Sequence, residues 1–321
     1  MFTSILIIII SGIVIYLSGS RFTKASSEIG YYFNLSPAVK GATLDAIAGS
    51  FPELMIAIFS VTYFHLFDFG VGIIAGSVLF NILIIPSVAV FFSPIVFRVS
   101  REVVARDAIF YNIAILALLG AVLYSTDWGI AIAVIFIAAY IWYTNIIVEQ
   151  TKEYQTHHPR MVMDVFSVAK EITIAILSMV LIGIAAYFLT EHAIIVSTLL
   201  GIPAILVGFS VIAVATSIPD TVMVALNAKS GDNDDAMSHI FGSNIFNIFV
   251  GLGLPLFLAT VFFGETITVA IGGVEIMLSL FLATILVNIF IVSDYTLSKK
   301  NAVIMTTFYL VFLAYLFFFS V

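Results

Sequence analysis

The chain has 321 residues, of which 62% are hydrophobic and 10% charged, with a formal net charge of −7 and no cysteine. Soluble domains carry roughly 25% charged residues, so a water-soluble globule is excluded. A bilayer crossing takes about 20 apolar residues, which leaves room for about ten spans and no large soluble domain; the lack of cysteine excludes disulfides and thiolate metal centres.

Apolar runs separated by short polar punctuation predict ten membrane helices. They cover approximately 3–19, 38–64, 69–93, 105–124, 128–148, 170–190, 200–228, 235–263, 266–292 and 301–320. The first run is read as a span and not as a signal peptide, because no basic residue precedes Arg21. The second contains GATLDAIAGSFPELMIAI from Gly41, and the third contains GSVLFNI from Gly76. The longest polar stretch follows the fifth span, and residues 149–169 are assigned as a central cytoplasmic loop. The seventh span contains GFSVIAVATSIPDTVMVA from Gly208, and the eighth contains GSNIFNI from Gly242. The runs are too long for barrel strands and lack strict alternation, so the fold class is all-α and polytopic.

The twelve basic residues orient this array. Arg21, Lys24 and Lys40 follow span one, and Arg98, Arg101 and Arg106 follow span three. Lys152, Arg160 and Lys170 follow span five, Lys229 follows span seven, and Lys299 and Lys300 follow span nine. All fall in odd-numbered loops or at their edges, which places those loops in the cytoplasm and both termini outside.

The chain also repeats itself. Gly41, Ala46, Ala48, Ser50, Pro52 and Glu53 match Gly208, Ala213, Ala215, Ser217, Pro219 and Asp220 at a constant offset. The GSVLFNI and GSNIFNI segments follow in the same order. The offset spans five helices, an odd number, so the copies are expected to run in opposite orientations, as in the inverted repeats of secondary transporters. The predicted halves are residues 1–148, with the motif region 41–92, and 170–321, with the motif region 208–258.

Glu53 and Asp220 each sit mid-span, where a charge costs on the order of 2.5–3.5 kcal/mol by insertion scales. Each follows a proline, which removes a backbone donor and clashes with the carbonyl four residues back. Symmetric kinks are predicted there, with carbonyls and the Ser50, Thr216 and Ser217 hydroxyls turned into the bundle beside Gly49. These are hard oxygen ligands, which suit calcium, and sodium uses the same atoms. Ser77 and Asn81, like Ser243 and Asn247, are four apart and share a helix face, so both pairs are assigned to the cavity lining.

The segments AGSFPEL, GSVLFNIL, ATSIPDT and GSNIFNIFVGLGLP resemble the two alpha repeats of the calcium/cation antiporters, and most closely the sodium/calcium exchangers of the potassium-dependent branch. The resemblance implies five-plus-five inverted topology, a calcium site between the two acids, sodium sites around it, and first and sixth spans that slide as a gate. It marks Ala46, Gly49, Ser50, Glu53, Ser77 and Asn81 in the first repeat. In the second it marks Ala213, Thr216, Ser217, Asp220, Ser243 and Asn247. Gly49 stands where that family usually has a hydroxyl, Phe51 is bulky for its position, and Asn247 stands where exchangers commonly carry Asp. Potassium independence is the expectation from that last departure.

Other polar residues receive weaker assignments. Asp45 is placed either on the inner ion passage or at a hydrated helix end, and Glu275 has no repeat-related partner. His239, one turn before Ser243, is expected to be a packed histidine, with pH sensing as the alternative. The GDNDDA segment, Gly231 to Ala236, lacks full EF-hand spacing and is expected to be a solvated helix start.

No HExxH and no Ser-His or Cys-His arrangement lies within the spans, so an enzyme is not expected. The predicted activity is antiport of calcium against sodium, with a proton/calcium antiporter as the alternative and a channel as a further rival. The expected partners are calcium, sodium or protons, and the bilayer, with no nucleic acid and no organic cofactor. A monomer in a prokaryotic plasma membrane is the expected setting.

Overall fold

A computed structural model describes residues 1–124, 127–157, 165–264, 266–268 and 272–319. Its elements, in chain order, are α1 (Phe2–Tyr32), α2 (Pro37–Thr62), α3 (Phe67–Phe92), α4 (Arg101–Tyr124) and α5 (Ile130–His157). Then follow α6 (Val165–Leu200), the bent α7 (Ala204–Thr216 and Ile218–Ser230), α8 (Asn233–Phe263), α9 (Gly272–Asp294) and α10 (Lys299–Phe319). Among the described residues nine helices are long and apolar enough to cross a membrane, and the α7 pair makes a tenth if counted as one span. The architecture is therefore a nearly all-helical, multi-pass membrane fold.

The loops segregate into two clusters. β1 (Phe97–Arg98) pairs with β4 (Thr296–Leu297), joining the loops after α3 and α9. β2 (Asp127–Trp128) pairs with β3 (Ile267–Thr268), joining those after α4 and α8. A broad cavity of about 1220 Å³ is lined by residues from the loops after α1, α3 and α7 and from the end of α5. Among the described residues, the loops after α1, α3, α7 and α9 thus share one face, in line with their basic charge.

At the centre stands α3, buried over most of its length and packed on α2, α7, α8, α9 and α10. Its apolar side chains face protein on every side, as expected of a helix hydrophobic all round. α1 and α6 lie against each other at the periphery and also touch α2. Ile5, Ile9, Ile13 and Leu17 form an exposed stripe on α1 at four-residue spacing, a lipid-facing surface.

Three expectations require correction. The first span runs to Tyr32, so α1 is about 46 Å long, well beyond the hydrocarbon core. Its extension contains no proline and buries Phe22, Thr23, Ala25, Ser26, Ser27 and Gly30 against neighbouring helices. The kinks are also not symmetric. α7 breaks at Ser217, with a bend of 42° between its arms, whereas α2 continues through Pro52. Phe51 packs edge-on against Phe22 of α1, while Ile218 at the matching place is exposed. What the two helices do share is a five-residue π turn, Gly41–Asp45 in α2 and Gly208–Ile212 in α7, each opening on the motif glycine. Such turns free backbone groups and recur at functional sites. The polar stretch assigned as the central loop is helical from residue 149 to His157.

A candidate cation site between the two motif pairs

The four motif segments meet at the core of the bundle. α2 carries Glu53, α3 carries Ser77, α7 carries Ser217 and Asp220, and α8 carries Ser243 and Asn247; all are 0–1% exposed. Close approach of these helices depends on glycines. A Cβ on Gly76 would run into the Phe209 carbonyl of α7, and one on Gly242 would lie 2.6 Å from the Ala42 carbonyl oxygen of α2. The small residue in each GSxxFN segment therefore sets backbone separation, as small residues do in membrane bundles.

Two polar groups result. In the first, the Ser77 and Ser217 hydroxyls donate to Glu53 Oε1 at 3.4 and 3.3 Å and lie 3.0 Å from each other. The Asn247 amide donates to Ser77 Oγ at 3.2 Å. The contacts to Glu53 are long for O–H···O bonds, so the carboxylate is held loosely. In the second, Asp220 Oδ2 accepts from Ser243 Oγ at 3.3 Å, and Asp220 Oδ1 lies 3.1 Å from His239 Nε2. Ser243 Oγ also donates to the Ala46 carbonyl at 3.4 Å. The Asp220 carboxylate occupies the space beside Gly49, where a Cβ would overlap it. The missing hydroxyl at this position is thus replaced by a shorter acid folded against a bare backbone.

Several buried polar atoms have no protein partner: Ser50 Oγ, Glu53 Oε2, Asn247 Oδ1 and both amide atoms of Asn81. Buried polar groups are normally paired, and a buried carboxylate oxygen without a donor is costly. A group of unpaired oxygens around one carboxylate is the donor set a hard cation requires. Glu53, Ser50, Asn81 and Asn247 have such unpaired atoms, and the Ser77 and Ser217 hydroxyls join them through Glu53 Oε1. Gly49, Ala46 and Ser243 gather instead around Asp220. Thr216 Oγ1 donates to the Ile212 and Ala213 carbonyls of its own helix, and the same side chain lies against the Glu53 carboxylate with its oxygen lone pairs uncommitted. Ala213 is buried with its Cβ facing Gly76.

The remaining assignments are resolved unevenly. His239 is packed, as expected, yet its packing partner is one of the two central acids. Asp45 is not at a hydrated helix end: it is fully buried and ion-paired to Lys40. The helix-start reading of the GDNDDA segment holds for Asp232, which is exposed, and for Asp234, which caps the Ser100 amide at 2.7 Å. It does not hold for Asp235, which is buried against Lys40. The Glu275 side chain lies outside the described residues. Lys40, read from sequence as a loop charge, is 1% exposed.

Comparison with known proteins agrees with this geometry. The chain is 27% identical over 267 residues to the putative antiporter CaxA of Alkalimonas amylolytica, covering 79% of this chain and 80% of that protein. It is 26% identical over 259 residues to the inner membrane protein YrbG of Escherichia coli, covering 78% of each. The sodium/calcium exchanger MaX1 of Methanosarcina acetivorans is 33% identical over 157 residues, 47% of this chain and 41% of that one. In fold, the chain matches a solved structure of the sodium-calcium exchanger NCX_Mj with a TM-score of 0.70 at 20% identity, covering 97% and 98% of the two chains. MaX1 and NCX_Mj are sodium/calcium exchangers and the family profile is that of an exchanger, so the protein is a transporter, not an enzyme. The family profile described as sodium/calcium exchanger protein matches residues 3–148 and again 170–318, and the chain belongs to that family of cation antiporters.

Proposed function

We propose that the protein exchanges calcium against sodium by alternating access, without a requirement for potassium, through two inverted five-helix repeats. The observation that carries the reading is the group of unpaired buried oxygens around Glu53, closed by Ser77 and Ser217 and adjoined by Asp220. The two carboxylates together balance one calcium ion, or two sodium ions in its place. Calcium and sodium that need the same carboxylates bind alternately, which is the condition for coupled exchange. The twofold match of one family profile and the paired π turns support the repeat. The basic odd-numbered loops support a cytoplasmic assignment for their face and an external one for both termini. A monomer in a prokaryotic plasma membrane completes the reading.

Radioactive calcium uptake into proteoliposomes is the direct test. Sodium-loaded vesicles are expected to take up calcium, and potassium-loaded vesicles without sodium are not. Uptake driven only by a proton gradient would replace this reading with proton/calcium antiport, and calcium flux without a counter-ion would replace it with a channel.

Replacing potassium by choline on both sides is expected to leave the sodium-driven rate unchanged. Asn247 contributes no charge beside Ser77, so the central site carries at most two negative charges, those of Glu53 and Asp220 when both are ionised. Asn247→Asp would add a third, leaving a net negative site after one calcium binds. That variant is expected to make the uptake rate potassium-sensitive, and an unaltered potassium response would argue against charge count as the basis of potassium independence.

A further inference from the structure

On the face shared by the odd-numbered loops, the broad cavity ends at Asp235. Behind it lies a second pair of buried acids. Lys40 Nζ donates to Asp235 Oδ2 at 2.8 Å, to Asp45 Oδ2 at 2.9 Å and to Ser27 Oγ at 2.8 Å. This uses all three donors of the ammonium. The group joins α1, α2 and α8, and Lys40, Asp45 and Asp235 are all at most 2% exposed. When both acids are ionised and His239 is neutral, two carboxylates against one ammonium leave one negative charge in excess. Both carboxylates also keep one buried oxygen with no protein partner, Asp45 Oδ1 and Asp235 Oδ1.

The position of this group lies on the line between cavity and central site. Asp235 is one helical turn before His239, which touches Asp220. Asp45 immediately precedes Ala46, whose carbonyl accepts from Ser243, a second Asp220 partner. Tight packing closes the remaining space: a Cβ on Gly41 would lie 2.5 Å from Asp235 Oδ1, and one on Gly30 would lie 2.8 Å from Lys40 Cγ.

We infer that Asp45 and Asp235 form an inner cation-binding station in series with the central site, and that the Lys40 ammonium is its tethered occupant. The ligand class is a hard cation of calcium or sodium type, since the donors are carboxylate and hydroxyl oxygens. A cation travelling between the cavity and Asp220 displaces the ammonium from the acid pair, and the returning ammonium closes the route behind it. Only the direction of use rests on the antiport reading; the station itself is a binding property.

Binding is therefore tested without transport, using terbium as a luminescent calcium substitute on the purified full-length chain. The Tyr31 ring lies 5.0 Å from Lys40 Nζ and is placed to sensitise an ion that takes the ammonium's position. In a background of Glu53→Gln with Asp220→Asn, which neutralises the central acids, adding Lys40→Met is expected to raise terbium luminescence at least about tenfold through the uncompensated acid pair. The rise should be lost on further adding Asp45→Asn with Asp235→Asn, and reduced by Tyr31→Phe. Equal luminescence with and without Lys40, or a signal that survives neutralising both acids, would overturn the inference. If the Lys40→Met protein does not purify as a single species, Asp235→Asn in the otherwise native chain carries the test, because Lys40 stays paired with Asp45. Its half-saturating calcium concentration should rise about fivefold on the cavity side only, by loss of one carboxylate from that route. A change equal on both sides, or none, would refute it.

Discussion

Sodium-driven calcium uptake is expected to fall by about a hundredfold or more in Glu53→Gln, the equivalent of roughly 3 kcal/mol, as for removal of one member of a buried charge pair. Glu53 is 1% exposed, Oε1 has long contacts from two serines, the Thr216 side chain lies beside the carboxylate, and Oε2 has no close protein partner. An ionised carboxylate in that setting is stabilised by a bound cation and by little else. Glutamine keeps the shape and one carbonyl oxygen but removes half of the fixed charge of the Glu53–Asp220 pair. A divalent ion would then enter a site that neutralises only one of its charges. Glu53→Asp should fall between the two, since it keeps charge but withdraws it from Ser77 and Ser217. The measurement is initial uptake rate against external calcium. Equal rates for wild type and Glu53→Gln would remove Glu53 from the transport site, whereas correct elution with lost uptake would separate chemistry from folding.

What the sequence made visible, and what it did not, follows from the range of the forces involved. Ten spans were legible because a lipid environment forces long apolar runs with internally paired backbone. Glu53 and Asp220 were legible because a charge in such a run is conspicuous and these two recur in matched segments. The length of α1 was not, since Ser20 to Tyr32 reads as polar loop and becomes helix through packing against its neighbours. The asymmetry at the prolines was not, because Phe51 and Ile218 differ in what surrounds them and not in helix propensity. Lys40 was the largest omission. A lysine at the start of a span ordinarily reaches toward water. Here Asp45 and Asp235 hold it inside, and Asp235 comes from a helix start almost two hundred residues along the chain. His239 carried one usable signal, its placement one turn before Ser243, but its meeting with Asp220 depends on how α7 folds back on α8.

Gly242→Ala is expected to abolish uptake and to destabilise the folded chain by about 1–3 kcal/mol, the usual cost of forcing an extra carbon into a packed core. The added Cβ would lie 2.6 Å from the Ala42 carbonyl oxygen, 2.8 Å from its Cα and 2.9 Å from its carbonyl carbon. These are backbone atoms of the π turn in α2, which cannot rotate away as a side-chain end can. α2 and α8 must therefore separate. That separation acts directly on the site, because Ser243 follows Gly242 and donates to the Ala46 carbonyl across the same interface. Gly76→Ala should behave alike, since its Cβ would meet the Phe209 carbonyl of α7. Gly12 supplies the control: a Cβ there meets nothing within 4 Å, so Gly12→Ala should leave uptake and melting temperature near wild type. Thermal melting of the purified proteins in detergent, with uptake measured in parallel, reads both effects. If Gly242→Ala melted and transported like Gly12→Ala, close contact between α2 and α8 would not be what holds Ser243 beside Asp220. If it lost uptake while keeping its melting temperature, the helices would have separated at little cost, and the glycine would serve the geometry of the cation site more than the stability of the bundle.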